Sequence, residues 1–522
     1  MLASLLAMVI TGAAHSSPAD GCDYRLIAVL QSPDPFSNGE FGDVVAIGSR
    51  VILVGEPNAD VGGVREAGRV HVFDLEGALI RTLFPPETRV SGGFGWRIAA
   101  GEERVVVADR WGVYVYDSGA ELLMELVFPG EDGPLQRLGL DVGEGLLAVG
   151  CSNLTRGVEG AVYLFDHGGG LIATLHSPDP EADPRYHSFG ASVALGDGIL
   201  AVGEDHSRVE GVEGFGDAGR VHVYDLGGSH LRTLESPEPF YWGCFGGCLE
   251  VSDGLLYVNE PDEGGLTGLH REGTGRVHVY DAGGALLRTI GPPDLGAPSP
   301  FGAVAIGGGV IVVGEPRADV GEVGQAGRVH VFDLDGLLLC NLRSPAPRLY
   351  GEFGGGSPAG PSVAVRGEVI VVGEHFANSE GVFKAGRAYV FRRVAELDLR
   401  GLTVSPGEVK EGGTVTVSVE CVNSGPLSGY GEVALRVGGE VVEVREVALG
   451  PGEAETLLFE VAAAGDGLQA VEVDGLSSSF MVRGGGPLER VPGFHLEAVV
   501  SGLVLAVVIL IFWTKGPGMP RR

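Results

Sequence analysis

The stretch LVGEPNADVGGVREAGRVHVFDLEG, Leu53 to Gly77, returns almost unchanged as VVGEPRADVGEVGQAGRVHVFDLDG, Val312 to Gly336, with weaker copies between and after. Within each copy apolar residues alternate or run in short β-branched blocks bounded by Gly, Asp and Pro. That is the chemistry of short strands and tight turns. Phe-Gly pairs begin at Phe41, Phe94, Phe189, Phe245, Phe301 and Phe353, with Leu138-Gly139 in the third place, at spacings of 53, 44, 51, 56, 56 and 52. Each opens a four-part unit: FGDVVAIG, a turn, RVILVGEP, a Gly-rich loop, GRVHVFD, a turn, and ALIRTLFPP. Four strands per period, seven times over, predict an all-β fold containing a seven-bladed β-propeller, because one such sheet cannot bury both faces alone.

Closure is legible as well. The seventh unit stops at GRAYVFRRV, Gly386 to Val394, without a fourth strand. An orphan strand near the N-terminus, LIAVLQSPDP (Leu26–Pro35), matches LIATLHSPDP (Leu171–Pro180) in eight of ten positions. It is predicted to complete the last blade and remove an open edge.

The Phe-Gly starts, VGEP and GRVHVF resemble the FG-GAP repeats of integrin-like propellers over Tyr24 to Val394. The resemblance implies a propeller spanning 24–394. It does not extend to that family's calcium loops, whose spaced carboxylates wrap a hard cation. The corresponding turns here read IGSRV, AGEER, LGDGI, VSDGL and IGGGV, too few spaced acids in any one turn to cage calcium, so no metal and no cofactor are expected. Asp60 and Asp319, in the second loop, read as turn formers.

From 396 to 483 the repeat gives way to long alternating strands, TVTVSVECVNSG, EVALRVGGEVVEVREVALGPGE and TLLFEV. This pattern predicts an Ig-like β-sandwich. The segment is similar to the cell-adhesion-related (CARDB) domain of bacteria and archaea, which implies a stalk. Residues 484–495 form a linker, and an apolar run at 496–513 is long enough for one C-terminal transmembrane helix, followed by a basic tail at 514–522 that the positive-inside rule leaves in the cytoplasm. Residues 1–19 read as a signal peptide. Pro492, Gly493 and Phe494 resemble the archaeal Pro-Gly-Phe sorting signal, which implies removal of the helix and attachment of lipid; a retained helix is the alternative.

Composition narrows the partners. The net charge of −33 argues against nucleic acid, which needs a basic face. Six cysteines are too few for a disulfide scaffold; Cys244 and Cys248 are either a small loop disulfide or two buried thiols.

An acid recurs in the VGE slot and an arginine in the following GR. Glu56 with Arg69, Glu204 with Arg220, Glu260 with Arg276, Glu315 with Arg328 and Glu374 with Arg387 are predicted to pair and brace the second loop. The slot holding His71, His222, His278 and His330 holds tyrosine in other units, which predicts ring packing rather than metal ligation. In an up-and-down blade the long second loops and the blade-to-blade loops share one end, the usual place for function on a rigid scaffold. That rim carries Trp111, Tyr186, Phe240, Tyr241, Trp242 and Tyr350, suited to stacking on sugars or anchoring a protein. Asn153 begins a glycosylation sequon. The expected protein is a membrane-anchored surface adhesin for an extracellular glycan or surface protein. A hydrolase or lyase in the propeller funnel is the alternative, as is a passive envelope component. No linear catalytic motif is present.

Overall fold

The fold follows from pairing of the predicted strands. A computed structural model describes residues 23–128, 135, 137–152, 160–179, 188–212, 218–261, 275–293, 301–355 and 361–484. The signal peptide, Asn153, Tyr186, the Pro492–Phe494 motif, the apolar run at 496–513 and the tail lie outside these residues. Every described element is a strand, and among the described residues no helix is long and apolar enough to cross a membrane.

The chain divides into two compact units. In the first, seven four-stranded antiparallel sheets repeat, resembling a β-propeller. The first sheet shows the pattern, with β2 (Val45–Ile47), β3 (Ile52–Glu56), β4 (Arg69–Phe73) and β5 (Leu79–Leu83) in chain order. Five further sheets repeat it, opening with β6 (Arg97–Ala100), β10 (Arg137–Gly143), β14 (Ser192–Gly196), β18 (Leu249–Ser252) and β22 (Val304–Gly307). The last contains β26 (Val363–Arg366), β27 (Val369–Glu374) and β28 (Arg387–Arg393), and its fourth strand is β1 (Tyr24–Leu30). Tyr24 faces Arg393 and Leu30 faces Ala388 across that pair. The opening strands neighbour one another in cyclic order, with β2 against both β6 and β26.

Each recurrent residue has a local task. Asp74, Asp117, Asp166, Asp225, Asp281 and Asp333 accept the backbone N–H of the residue four positions on, closing the turn before the fourth strand. Each Phe of the Phe-Gly pair is buried, and Phe41 rests 5.3 Å from the His71 ring and Phe353 5.5 Å from Tyr389. Sheet faces meet through apolar clusters shared by neighbouring units, such as Val44, Leu53, Val70, Phe94, Val105 and Tyr114.

The Gly before each GR arginine is where consecutive units touch backbone to backbone. Gly68 bridges Phe94, and Gly386 bridges Phe41, joining the last unit to the first. Gly386 has φ +83°, and a Cβ there would collide with the Phe41 backbone; Gly381 has the same φ but open space around it. Gly386→Ala is expected to cost about 2–5 kcal/mol, strain plus overlap, and Gly381→Ala about 1–2 kcal/mol, strain alone. Urea unfolding of the two variants checks the difference.

The second unit, within residues 398–484, carries a three-stranded and a five-stranded sheet. Alternation along Thr414–Asn423 buries Val415, Val417, Val419 and Cys421, so this cysteine fills core. Cys421, Cys151, Cys244 and Cys248 are thiols rather than disulfides, so the Cys244–Cys248 loop disulfide does not form; Cys340 is disulfide-bonded.

Candidate functional site

The rim aromatics share a backbone setting. Trp242 (φ +66°) and Tyr350 (φ +57°) occupy one structural position, two residues before the left-handed Cys244 and Glu352 that precede each Phe-Gly. In the first and second units Asn38 (φ +59°) and Ser91 (φ +54°) stand in comparable positions. A left-handed conformation suits asparagine and penalises bulky side chains, so the turn itself does not call for Trp or Tyr. Tyr350 is 56% exposed; Phe240, Tyr241 and Trp242 are half-buried, with Tyr241 edge-on to Trp242 at 5.5 Å and Arg276 over the Phe240 ring at 5.4 Å. Trp111 is exposed under Arg89 at 5.3 Å. Among the described residues no ring contact joins Trp111, Tyr350 and the 240–242 cluster, so these are separate footholds rather than one patch.

The acid–arginine slots behave less uniformly than the repeat predicts. Glu56 is buried and its Oε2 accepts from Arg69 at 2.6 Å, Ser32 at 3.0 Å and His71 at 2.9 Å. Glu315 accepts from Arg328 at 2.5 Å and lies 2.8 Å from His330. In the fifth sheet Arg276 stands 3.9 Å from Glu260 and binds Glu238 at 2.9 Å. Two pairs fail: Arg220 turns to Asp179 at 2.5 Å and Glu235 at 3.1 Å rather than Glu204, and Arg387 feels the charge of Glu374 without a hydrogen bond to it. At Arg220 the competing acids are Asp179, in the loop after the third sheet, and Glu235, at the end of the fourth strand of its own sheet.

The constant partner of the acid is the ring, which corrects the reading of the His/Tyr slot as packing alone. His71, His222, His278 and His330 hydrogen-bond the acid of their own sheet at 2.8–2.9 Å, and the other ring nitrogen of the first three reaches a Thr hydroxyl. Tyr389 donates to Glu374 at 2.6 Å. His and Tyr interchange because each can deliver a ring N–H or O–H to the buried carboxylate.

Burial opposes ionisation of Glu56 and Glu315, but hydrogen bonds from the histidine and arginine outweigh it and hold both below the ordinary range. Burial wins at Glu374, whose partners Tyr389 and Ser344 are neutral, and its pKa is raised. In the second sheet Asp109 takes the acid's place and accepts from Trp111 N–H at 2.7 Å and Tyr114 at 3.3 Å. These groups are sealed inside the sheets. Asp60 and Asp319 accept the N–H of Glu66 and Gln325, the turn role expected of them.

A cavity of about 650 Å³ lies where the seven opening strands converge. Pro261, Pro316, Arg317, His375 and Phe376 also line it; all follow a VGE-type slot, so it opens at the long-loop end. In every sheet the opening strand pairs with the second in the same register, which makes the position of Ala46 comparable throughout. Ala46, Ala99, Ala194, Ala305 and Ala364 hold it in five sheets; Asp141 holds it in the third and Glu250 in the fifth. Both acids line the cavity.

Asp141 accepts the N–H of Leu195, on the next sheet, at 2.7 Å and of Val142 at 2.8 Å. Burial nevertheless pushes it up to about 6. Burial and then the charge of Asp141 hold Glu250 well above the usual carboxylate range. On the same wall, Arg137 binds Asp205 at 2.9 Å, and Asp205 also meets His206 at 2.9 Å. Against burial, the charges of His206 and Arg137 hold Asp205 well below its usual value. Burial and the nearby Arg137 lower Arg97 to about 10, and burial raises the Cys248 thiol to about 11. Among the described residues no cluster of three or more His, Cys, Asp or Glu is arranged to hold a metal ion. The acids were missed in the sequence because single polar residues in alternating strands look ordinary; aligning the units by strand register is what isolates them.

No sequence family matches the chain, and no curated protein does. Among solved structures, the WD40 domain of Neurospora crassa Pan2 is similar at 11% identity and a TM-score of 0.43, covering 72% of this chain and 97% of that one. A β-glucosidase from Listeria innocua in complex with isofagomine aligns at 22% identity and a TM-score of 0.17, over 18% of this chain and 17% of that one.

Proposed function

We propose that this chain is a surface-displayed binding protein: a closed seven-bladed propeller of FG-GAP type, carried on an Ig-like CARDB-type stalk, that engages an extracellular glycan or protein at its long-loop end. The carrying observation is the placing of Trp242 and Tyr350 in left-handed turn positions that Asn38 fills in another unit. Backbone strain of this kind concentrates at functional sites and is offset by the rest of the fold. The cavity opens at the same end. The disulfide at Cys340 supports an oxidising compartment, in keeping with an outward-facing body and a membrane anchor.

The test is binding of the full chain to isolated cell envelopes, beside a variant with Phe240, Tyr241 and Trp242 changed to Ala. Saturable binding reduced at least tenfold in the variant is expected. Equal binding by both would overturn the rim assignment. A hydrolase in the cavity is the second reading, favoured by the raised carboxyls of Asp141 and Glu250. It predicts release of soluble sugars or peptides from envelopes, abolished by Glu250→Gln.

A further inference from the structure

The fifth sheet departs from its six counterparts at the cavity. Glu250 replaces alanine on its opening strand. On its second strand Asn259 fills the slot that is glycine in five sheets (Gly55, Gly150, Gly203, Gly314, Gly373) and Ala108 in the other. At those glycines the next unit's Phe-Gly backbone leaves no room for a Cβ. Asn259 fits because the sixth unit runs only three residues from Phe301 to Val304, against four from Phe245 to Leu249. Its Nδ2 donates to the Phe301 carbonyl at 3.3 Å and the Gly302 carbonyl at 2.6 Å. A substitution with a matching shortening of the neighbouring turn is a built feature rather than drift at one position.

Accepting capacity is left over at this wall. Asn259 is 3% exposed, lines the cavity, and its Oδ1 has no partner. His375, also 3% exposed, lines the cavity with Nδ1 unpartnered and Nε2 only within 3.9 Å of Glu352. Glu250 makes no hydrogen bond among the described residues and faces the cavity beside Asp141. Of the basic groups nearby, Arg137 binds Asp205, and Arg97 donates through Nε to the Leu138 carbonyl. Arg317 is exposed at the mouth. A buried acceptor without a donor costs about 1–3 kcal/mol, which an entering donor recovers.

We propose that the cavity is a binding site for a guanidinium or ammonium group, received by Glu250 with Asp141 and Asn259 and supplied by a partner's basic side chain or by an amino sugar. This rests on the long-loop end being the binding end and names the chemistry recognised there. A cation also relieves the repulsion between the two carboxylates, so attraction and orphaned acceptors select the same ligand.

Calorimetric titration of the full chain tests this with three cationic probes, agmatine, N-acetyl-argininamide and glucosamine, beside neutral glucose. Saturable binding of at least one cation is expected, with glucose at least tenfold weaker. The argininamide and glucosamine arms tell a side chain from an amino sugar. Glu250→Ala and Glu250→Gln should each lower cation affinity at least tenfold. Alanine is what five other sheets carry at this position, and an unchanged melting temperature confirms that folding is intact. Glu472→Gln, an exposed carboxyl elsewhere, serves as the control and leaves binding unchanged. No cation binding, glucose binding as tight as glucosamine, or full binding by both Glu250 variants would each overturn the proposal. Envelope binding measured on the same preparation separates the two claims: its persistence without cation binding sinks only this inference, and its absence with cation binding intact sinks only the surface-binding reading.

Discussion

Deleting residues 23–30 is expected to turn a cooperatively folding chain into an aggregating one. These residues contain β1, which pairs with β28 from Tyr24–Arg393 to Leu30–Ala388. Its loss removes a full ladder of backbone hydrogen bonds, each contributing about 0.5–1.5 kcal/mol, and the burial of Leu30, about 1.5–3 kcal/mol. Leu30 is 1% exposed and packs with Phe41, Ile47, Val371 and Val390, so the damage reaches the junction of the last sheet with the first. The sum, roughly 5 kcal/mol or more, rivals the whole stability of an ordinary domain. It also bares the edge of β28, a template for pairing between chains. Size-exclusion chromatography and thermal unfolding check this. A monodisperse truncated chain melting within a few degrees of the full one would contradict the role of β1.

Glu56→Ala should be the most costly single change in the repeat, about 3–5 kcal/mol, because it strands buried partners of a charged group. Oε2 of Glu56 is shared by Arg69, His71 and Ser32, and all three lose their acceptor together. Glu374→Gln should cost about 1 kcal/mol at most, since its donors, Tyr389 and Ser344, are neutral and the amide oxygen can still accept from them.

The two acids also carry opposite pH signatures. Glu56 is held below its unfolded pKa, so its contribution is present above about pH 4 and is lost as pH falls through its folded pKa. Glu374 is raised, so its ionised form costs stability at neutral pH and that cost fades as pH falls. Denaturant unfolding from pH 7 to pH 3 should therefore show the Glu56→Ala penalty shrinking in acid, with no such loss for Glu374→Gln.

The sheets and the closing strand were legible because their signals are local or literal repeats: Asp at the turn, Phe-Gly at the start, and a matching strand at Leu26. The ring–acid bond was not. Glu56 and His71 are 15 residues apart, while Glu204 and His222 are 18 apart, because the intervening loop varies in length. Only strand register brings each pair together. The arginines mislead for the opposite reason: the repeat conserves the pattern, yet Arg220 sits within reach of Asp179 and Glu235, and local geometry decides its partner. Asp141 was hardest to see, since its unit opens with Leu138-Gly139 rather than Phe-Gly and reaches its strand in fewer residues.

The most direct test of binding at the long-loop end replaces Trp242 and Tyr350 together by Asn, the residue the same turn carries at Asn38. Stability should stay within about 1 kcal/mol of the parent, because relief of left-handed strain offsets the lost edge-on contact of Trp242 with Tyr241. Envelope binding by the full chain should fall at least tenfold. Binding that survives this exchange undiminished would contradict the account, since these aromatics would then serve neither the turn nor a ligand.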